Sequence, residues 1–286
     1  MSELKEVWNF KSHEGYQKAY QHHSKYLKAD HEFSIYLPPA AVRGQRCPVV
    51  YWLTGAAADD REFMLKSGFQ KYASENELIV VAPEPRPLPL NDMPKEISSK
   101  YFVQFGFYMD STAPPYDEHF KMYSYILDEL LPLVEFKFPV LQDKRGIAGH
   151  SMGGMGALNF GLRNPDIFGS ISVFSGICNP SGMKIGQELL EMYFGNEGKD
   201  GAIKLYDPCV LAANYKGPHR QILFDHGGND ELDALVMAPE FLSAVMYKDL
   251  SVNFRLHAGY SHGIEIISSF IEDHILHHKK ELNWNP

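Results

Sequence analysis

Cysteine is scarce: 286 residues hold three, Cys47, Cys178 and Cys209. The odd count and the lack of any C-x-x-C spacing exclude a disulfide scaffold and point to reduced thiols in a reducing compartment. Long apolar runs are missing too, none approaching the ~18 residues needed to cross a bilayer. The opening MSELKEVWNFKSHEG has neither a basic n-region nor an apolar h-region, so no secretory signal is expected and the cytoplasm is the expected location. Positive charge is in deficit, with 27 Lys and Arg against 36 Asp and Glu and a net charge of −9. Nucleic acid and anionic membranes would repel such a chain and are not expected partners. The 13 histidines show no H-E-x-x-H or similar ligand spacing, so neither a metal nor a cofactor is expected. There is no internal repeat, low-complexity tract or Gly/Ser linker, and residues 1–286 read as a single domain long enough for a large core.

What is present is an alternation of strands and helices. His31 to Leu37 alternates in polarity and stops at Pro38-Pro39, as a strand does before a turn. Pro48 to Thr54 and Leu78 to Ala82 are short apolar runs, the pattern of strands covered by helices on both faces. Arg61 to Glu77 has helical spacing, and Phe120 to Phe136 repeats apolar residues at i, i+3 and i+4 intervals. A strand at Arg145 to Ala148 precedes a helix at Met152 to Arg163. Strands follow at Ile167 to Phe174, Gln221 to Asp225 and Val252 to His257, with helices at Ala238 to Lys248 and His262 to His278. Such alternation predicts a mostly parallel sheet with helices on both faces. Two stretches fall outside it. Glu84 to Lys100 is proline-rich and reads as a loop, and Pro180 to Pro208 reads as a glycine-containing crossover. Ligands bind beyond the carboxyl ends of strands in such sheets, so both are candidate walls of a site.

The sharpest signal is Gly149-His150-Ser151-Met152-Gly153, a G-x-S-x-G placed between a strand and a glycine-rich helix start. That context is the nucleophile elbow of the α/β-hydrolase fold. The turn must be tight and strained to lift the serine hydroxyl above the sheet, and side chains beside it would clash. The Met152 N–H then faces a developing oxyanion. A second donor is expected from the loop Thr54-Gly55-Ala56-Ala57-Ala58-Asp59-Asp60, with Ala56 as its source; Gly55 and His150 are expected against the substrate.

Chain order in this fold is serine, acid, histidine. Of the seven histidines after Ser151, His262 lies in Gly259-Tyr260-Ser261-His262-Gly263, between the last strand and the last helix, where a base must be. His257 lies within a strand, and His274, His277 and His278 read as a solvated helix end suited to the dipole. The acid belongs just past Gln221 to Asp225. Asp230, beyond the glycine turn, is preferred to Asp225, with Glu231 and Asp233 behind them. Ser151, Asp230 and His262 together would cleave an ester or thioester through an acyl-enzyme. Transfer of the acyl group to an alcohol or sugar is the alternative on the same triad, and a non-catalytic binding protein is the third reading.

Several strings resemble the S-formylglutathione hydrolase (esterase D) family: Gly149-His-Ser-Met-Gly-Gly-Met-Gly-Ala-Leu158, FSIYLPP at 33–39, Gly106-Phe-Tyr-Met-Asp110 with Met122-Tyr-Ser-Tyr125, Arg163-Asn-Pro165, Gly259-Tyr-Ser-His262 and Phe270-Ile-Glu-Asp-His274. The resemblance covers nearly the whole chain. It implies an α/β-hydrolase fold, no cofactor, a small-molecule ester or thioester substrate such as S-formylglutathione, a role in formaldehyde detoxification, and a homodimer. It carries the triad onto Ser151, Asp230 and His262. The chain departs from the family where Thr54-Gly55-Ala56-Ala57-Ala58 replaces Ser-Gly-Leu-Thr-Cys, where Met155 replaces a histidine, and around Pro83 to Pro87 and Lys100 to Phe105. These departures point at the substrate pocket, not at the triad.

Overall fold

Val49, Val50, Tyr51, Trp52 and Leu53 are all buried, because the strand that carries them lies mid-sheet with helices packed on both faces. The computed structural model describes residues 3–56, 59–98 and 101–285. Ala57, Ala58 and the last two residues of the Glu84 to Lys100 stretch lie outside the described residues.

The strands are β1 (Lys5–Ser12), β2 (Gly15–Ser24), β3 (Ala29–Leu37), β4 (Cys47–Leu53), β5 (Ile79–Pro83), β6 (Val140–His150), β7 (Ser170–Phe174), β8 (Arg220–Gly227) and β9 (Leu250–His257). They form one sheet of order β1-β2-β3-β5-β4-β6-β7-β8-β9. The first three run antiparallel to their neighbours, and β4 to β9 pair in parallel. The fold is that of the α/β-hydrolases, as the elbow motif predicts.

Alternate residues of β4 feed two cores. Val49, Tyr51 and Leu53 join the cluster holding Leu158 and Phe160 of the helix Met152–Arg163. Val50 and Trp52 join Phe63, Phe69 and the C-terminal helix residues Ile266, Ile267, Ile271 and Ile275. Register brings the strand ends level: Leu53 sits beside Gly149, His150 beside Phe174, Phe174 beside Asp225, and Gly227 beside His257. The loops leaving β4, β6, β7, β8 and β9 therefore emerge on one rim, where parallel sheets place their ligands.

One feature was not expected, and three expectations need correction. The pair β1–β2 was not signalled, because its residues are largely polar and β1 is an exposed edge. Buried Gln17 on β2 meets its needs by donating to the Ile35 carbonyl, not by being apolar. Arg61 to Glu77 is two helices, Asp60–Lys66 and Phe69–Glu75, broken where Gly68 takes a φ of 71°. The Pro180 to Pro208 crossover is mainly a helix, Lys184–Tyr206, kinked where Gly195 adopts φ 70° and ψ 170°. Finally, His274 and His278 are not solvated: they are 0% and 1% exposed. His278 hydrogen-bonds the Ser170 hydroxyl at 2.6 Å and that of Ser172 at 2.9 Å, and the His274 ring stacks on Phe174 at 3.7 Å. His277 is half-buried and bonds the Ile171 carbonyl at 2.9 Å. Serines on the face of β7 make a polar stripe that accepts a polar helix.

Candidate active site

Ser151 joins β6 to the helix Met152–Arg163 with φ 57° and ψ −118°, a conformation costly for any residue with a side chain. The turn survives because its N–H bonds the Phe174 carbonyl at 2.9 Å and its own carbonyl accepts from Met155 and Ile177. Glycine is obligatory beside it. A Cβ at Gly149 or at Gly153 would overlap the Leu53 carbonyl oxygen. Met152 opens the helix, where N–H groups have no intrahelical acceptor. Gly55 packs against His150 and the Ser151 Cβ. The loop is propped from behind by Tyr108, whose hydroxyl donates to the Thr54 carbonyl at 2.9 Å.

His262, on the loop after β9, points Nδ1 at Asp230 Oδ2, 2.8 Å away. Its other ring nitrogen, Nε2, is buried without a hydrogen-bond partner. The Asp230 side chain is fully buried. Burial pushes its carboxyl up, but the His262 hydrogen bond and charge, with donation from the Leu232 N–H at 2.8 Å, hold it below the usual range. His150 packs its ring 4.6 Å from that of His262. Burial, and repulsion from His262, push His150 down to about 3, so its ring is neutral near neutrality.

A cavity of about 230 Å³ opens on this rim, lined by Gly55, Ala56, His150 and His262 among others. Trp52, Phe63, Ile264 and Ile267 form its apolar wall, with Glu62 and Glu231 supplying its carboxylates. Every residue expected at the site is thus on one rim. A strained serine at the end of β6, and a histidine on the same rim whose Nδ1 is held by a buried carboxylate while its Nε2 has no partner, are the groups that acyl transfer through a serine requires.

Comparison with known proteins places the chain. A family model described as a putative esterase matches residues 24–277. The S-formylglutathione hydrolase of Bos taurus is 39% identical over 282 residues, which cover 98% of this chain and 99% of the bovine protein. The chain belongs to this esterase family. It is a hydrolase of the serine-esterase type. An S-formylglutathione hydrolase structure from Agrobacterium tumefaciens superposes with a TM-score of 0.91 at 34% identity, covering 97% of this chain and 99% of that one. A fluorophosphonate-binding serine hydrolase from Staphylococcus aureus, 20% identical, shares the fold with a TM-score of 0.68 over 94% of this chain and 99% of its own.

In this esterase the four candidate acids separate by their partners. Asp225 is fully buried and forked by Arg255, whose Nε and Nη2 both lie 2.6 Å from its oxygens. Glu231 accepts from the His262 backbone N–H at 3.3 Å. Asp233 holds His226. Asp230 alone of the four meets the His262 ring. The expectation that Glu84 to Lys100 and the crossover helix wall the site is corrected for the described residues: among them, neither segment contributes to the lining of this cavity. Glu84, Arg86 and Leu88 to Leu90 instead line a neighbouring cavity of about 330 Å³ with Asp59 and Asp60. Sequence reasoning passed over Trp52, Phe63, Ile264 and Ile267, which read as ordinary core positions. Trp52 nears the rim on β4, and the helices Asp60–Lys66 and Ile264–Glu281 bring Phe63, Ile264 and Ile267 over the same strand end.

Proposed function

We propose that this esterase hydrolyses short-chain acyl thioesters and esters, with S-formylglutathione as the thioester substrate, through Ser151, His262 and Asp230. The observation that carries the reading is the His262–Asp230 hydrogen bond of 2.8 Å, with the remaining His262 nitrogen buried and unpaired and a strained serine ending β6 on the same rim. His262 Nε2 takes the Ser151 proton as Oγ attacks the acyl carbonyl. Asp230 fixes the ring and offsets the imidazolium charge. The N–H groups of Met152 and Ala56 receive the oxyanion. The proton on His262 passes to the departing sulfur or oxygen, and a water activated by the same nitrogen cleaves the acyl-enzyme. Gly55 and His150 flank the bound acyl group. A cavity of about 230 Å³ falls below the ~300 Å³ of pockets that engulf drug-sized ligands, which supports a small acyl group held inside and a leaving group extending outward.

The proposal extends to a cytoplasmic homodimer in formaldehyde detoxification, the setting that the family resemblance implies. Three unpaired thiols are in keeping with a reducing compartment. The test is the ratio of kcat/KM for S-formylglutathione to that for p-nitrophenyl acetate, with Ser151→Ala as control. A ratio far above one, abolished by Ser151→Ala, is expected. A ratio at or below one would remove S-formylglutathione, and activity surviving Ser151→Ala would remove the triad.

A further inference from the structure

Two strings of the chain, Gly106-Phe-Tyr-Met-Asp110 and Met122-Tyr-Ser-Tyr125, take no part in the triad, and the fold joins them to each other. The Met122 N–H donates to the Met109 carbonyl at 3.1 Å. Asp110 accepts from the Ser124 N–H at 3.0 Å and from its hydroxyl at 2.6 Å. Its own N–H donates to the Tyr206 hydroxyl at 3.2 Å. Ahead of this anchor the chain passes through Gly106, Phe107 and Tyr108 at φ 67°, 49° and 56°. Consecutive left-handed residues, all but the first with side chains, are costly and persist only where their surroundings over-determine them.

What the run achieves is the aim of Tyr108, which is 1% exposed. Its ring lies on the nucleophile helix Met152–Arg163 at Gly156, where a Cβ would come within 2.9 Å of a ring carbon. Its hydroxyl donates to the Thr54 carbonyl at 2.9 Å, on the loop that leaves β4. Burial, with the negative charge of Glu84, pushes the phenol well above its ordinary value, so it remains a donor at neutral pH. One side chain therefore spans the two elements that carry the expected oxyanion donors, Met152 at the head of the helix and Ala56 just past Thr54.

The planarity of the peptide makes that hydrogen bond consequential. Thr54 is buried, and a buried carbonyl that loses its donor is costly, so Tyr108 holds the plane of the Thr54–Gly55 peptide. The Gly55 N–H then points opposite to the clamped carbonyl. Gly55 has no side chain to limit its own rotation. It is confined by Tyr108 through this peptide, and by the His150 ring and the Ser151 Cβ against which it packs. The direction of the Ala56 N–H follows from that confinement.

We propose that Tyr108 is a positioning residue of the reaction: by bridging the nucleophile helix and the Thr54–Ala56 loop, it sets the second arm of the oxyanion hole against the first. The inference rests on the triad and oxyanion reading above. An oxyanion donor acts by being preorganised where charge develops, so loss of the hydroxyl weakens transition-state binding and leaves ground-state binding nearly unchanged.

The test is Tyr108→Phe, which keeps the ring on Gly156 and removes the donor. Its kcat and KM for p-nitrophenyl acetate are measured in the full chain, together with the inhibition constant of ethyl trifluoromethyl ketone. Ser151 Oγ adds to the carbonyl carbon of that ketone, the serine proton passes to His262, and the ketone oxygen becomes the oxyanion. Expected are a fall in kcat of about tenfold, an inhibition constant raised by a similar factor, and a KM within about twofold of its original value. An unchanged kcat overturns the proposal, as does a change confined to KM. A fall in kcat with the inhibition constant unmoved also overturns it and makes Tyr108 a packing residue. If Tyr108→Phe does not fold, Ser124→Ala decides: it loosens the Asp110 anchor from a half-buried position, and kcat and the inhibition constant must move in the same directions by less. Ser151→Ala separates the two readings. If it is inactive while Tyr108→Phe matches the wild type, only the Tyr108 inference fails; if it keeps turnover, the triad assignment itself fails.

Discussion

Asp225 and Asp230 leave the same strand end within five residues of each other, and exchanging either for asparagine separates stability from catalysis. Asp225 is surrounded: Arg255 forks it at 2.6 Å, and the Nε2 atoms of His257 and His274 lie 3.3 Å from Oδ2. Burial pushes its carboxyl up, but the approach of His274 and the hydrogen bonds from Arg255 outweigh this and leave it at about 2, below the ordinary 3.8. A depression of that size is worth about 2 kcal/mol of stability at neutral pH. Removing one partner also leaves a half-buried guanidinium with Asp273 alone, which places Asp225→Asn at about 2–4 kcal/mol destabilised and roughly 5–10 °C lower in Tm. A carboxyl depressed in the folded state stabilises above its unfolded value and ceases to as pH falls through its folded value. The Tm gap between wild type and variant should therefore hold from pH 7 to about 4 and close toward pH 2.

Catalysis should respond in the opposite order. Asp225 does not touch His262, so Asp225→Asn should keep kcat/KM within about tenfold at 20 °C. Asp230→Asn would present an amide to His262 Nδ1, favour the wrong tautomer and cut kcat by about 10⁴-fold, with little change in Tm. Thermal melts at pH 7, 5 and 3, with p-nitrophenyl acetate turnover for both variants, check the pair. An Asp225→Asn protein that melts like the wild type yet has lost turnover would refute the division of labour.

Three further outcomes are expected. Ser151→Gly should be inactive but about 1 kcal/mol more stable by denaturant melt, because relief of a serine at φ 57° outweighs the chain entropy added by glycine; a less stable variant would show the elbow to be unstrained. Gly153→Ala should fail to fold or lose more than about 3 kcal/mol, since its Cβ would overlap the Leu53 carbonyl oxygen, and a soluble variant with unchanged Tm would contradict that packing. Burial pushes His31 and His150 down to about 3, so the unfolded chain takes up protons first as pH falls below about 6.5. Each should then cost up to about 1.4 kcal/mol per pH unit; a Tm that is flat from pH 7 to 5 would contradict their burial as neutral rings.

Ser151, Asp230 and His262 were legible because each sits one turn past a strand, with glycines marking the turn: Gly149 and Gly153, Gly227 and Gly228, Gly259 and Gly263. That punctuation is local, and so is the helix Met152–Arg163, whose bounds coincide with the expectation. The choice between Asp225 and Asp230 was not local. What separates their surroundings is Arg255, 30 residues further on β9, and His274 on the C-terminal helix, neither of which any window around the acids contains.

The misread histidines have the same origin and lead to the same rim. Composition assigns His274, His277 and His278 to solvent, because a polar helix end ordinarily faces water. Here the facing strand, Ser-Ile-Ser-Val-Phe, sends its isoleucine and valine to one core and its two serines to the other, so the polar face of the helix is the one that fits. A buried hydroxyl must find a partner, and an imidazole can serve as either donor or acceptor. Ser170 and Ser172 use His278 in this way, and Ser175, one residue past the end of the same strand, uses His226. What distinguishes Ser175 is position: at the carboxyl end of β7 its partner His226 also lies 3.5 Å from Asp230. A hydroxyl-imidazole contact that only fills the sheet face further down the strand thus lies, at the rim, next to Asp230.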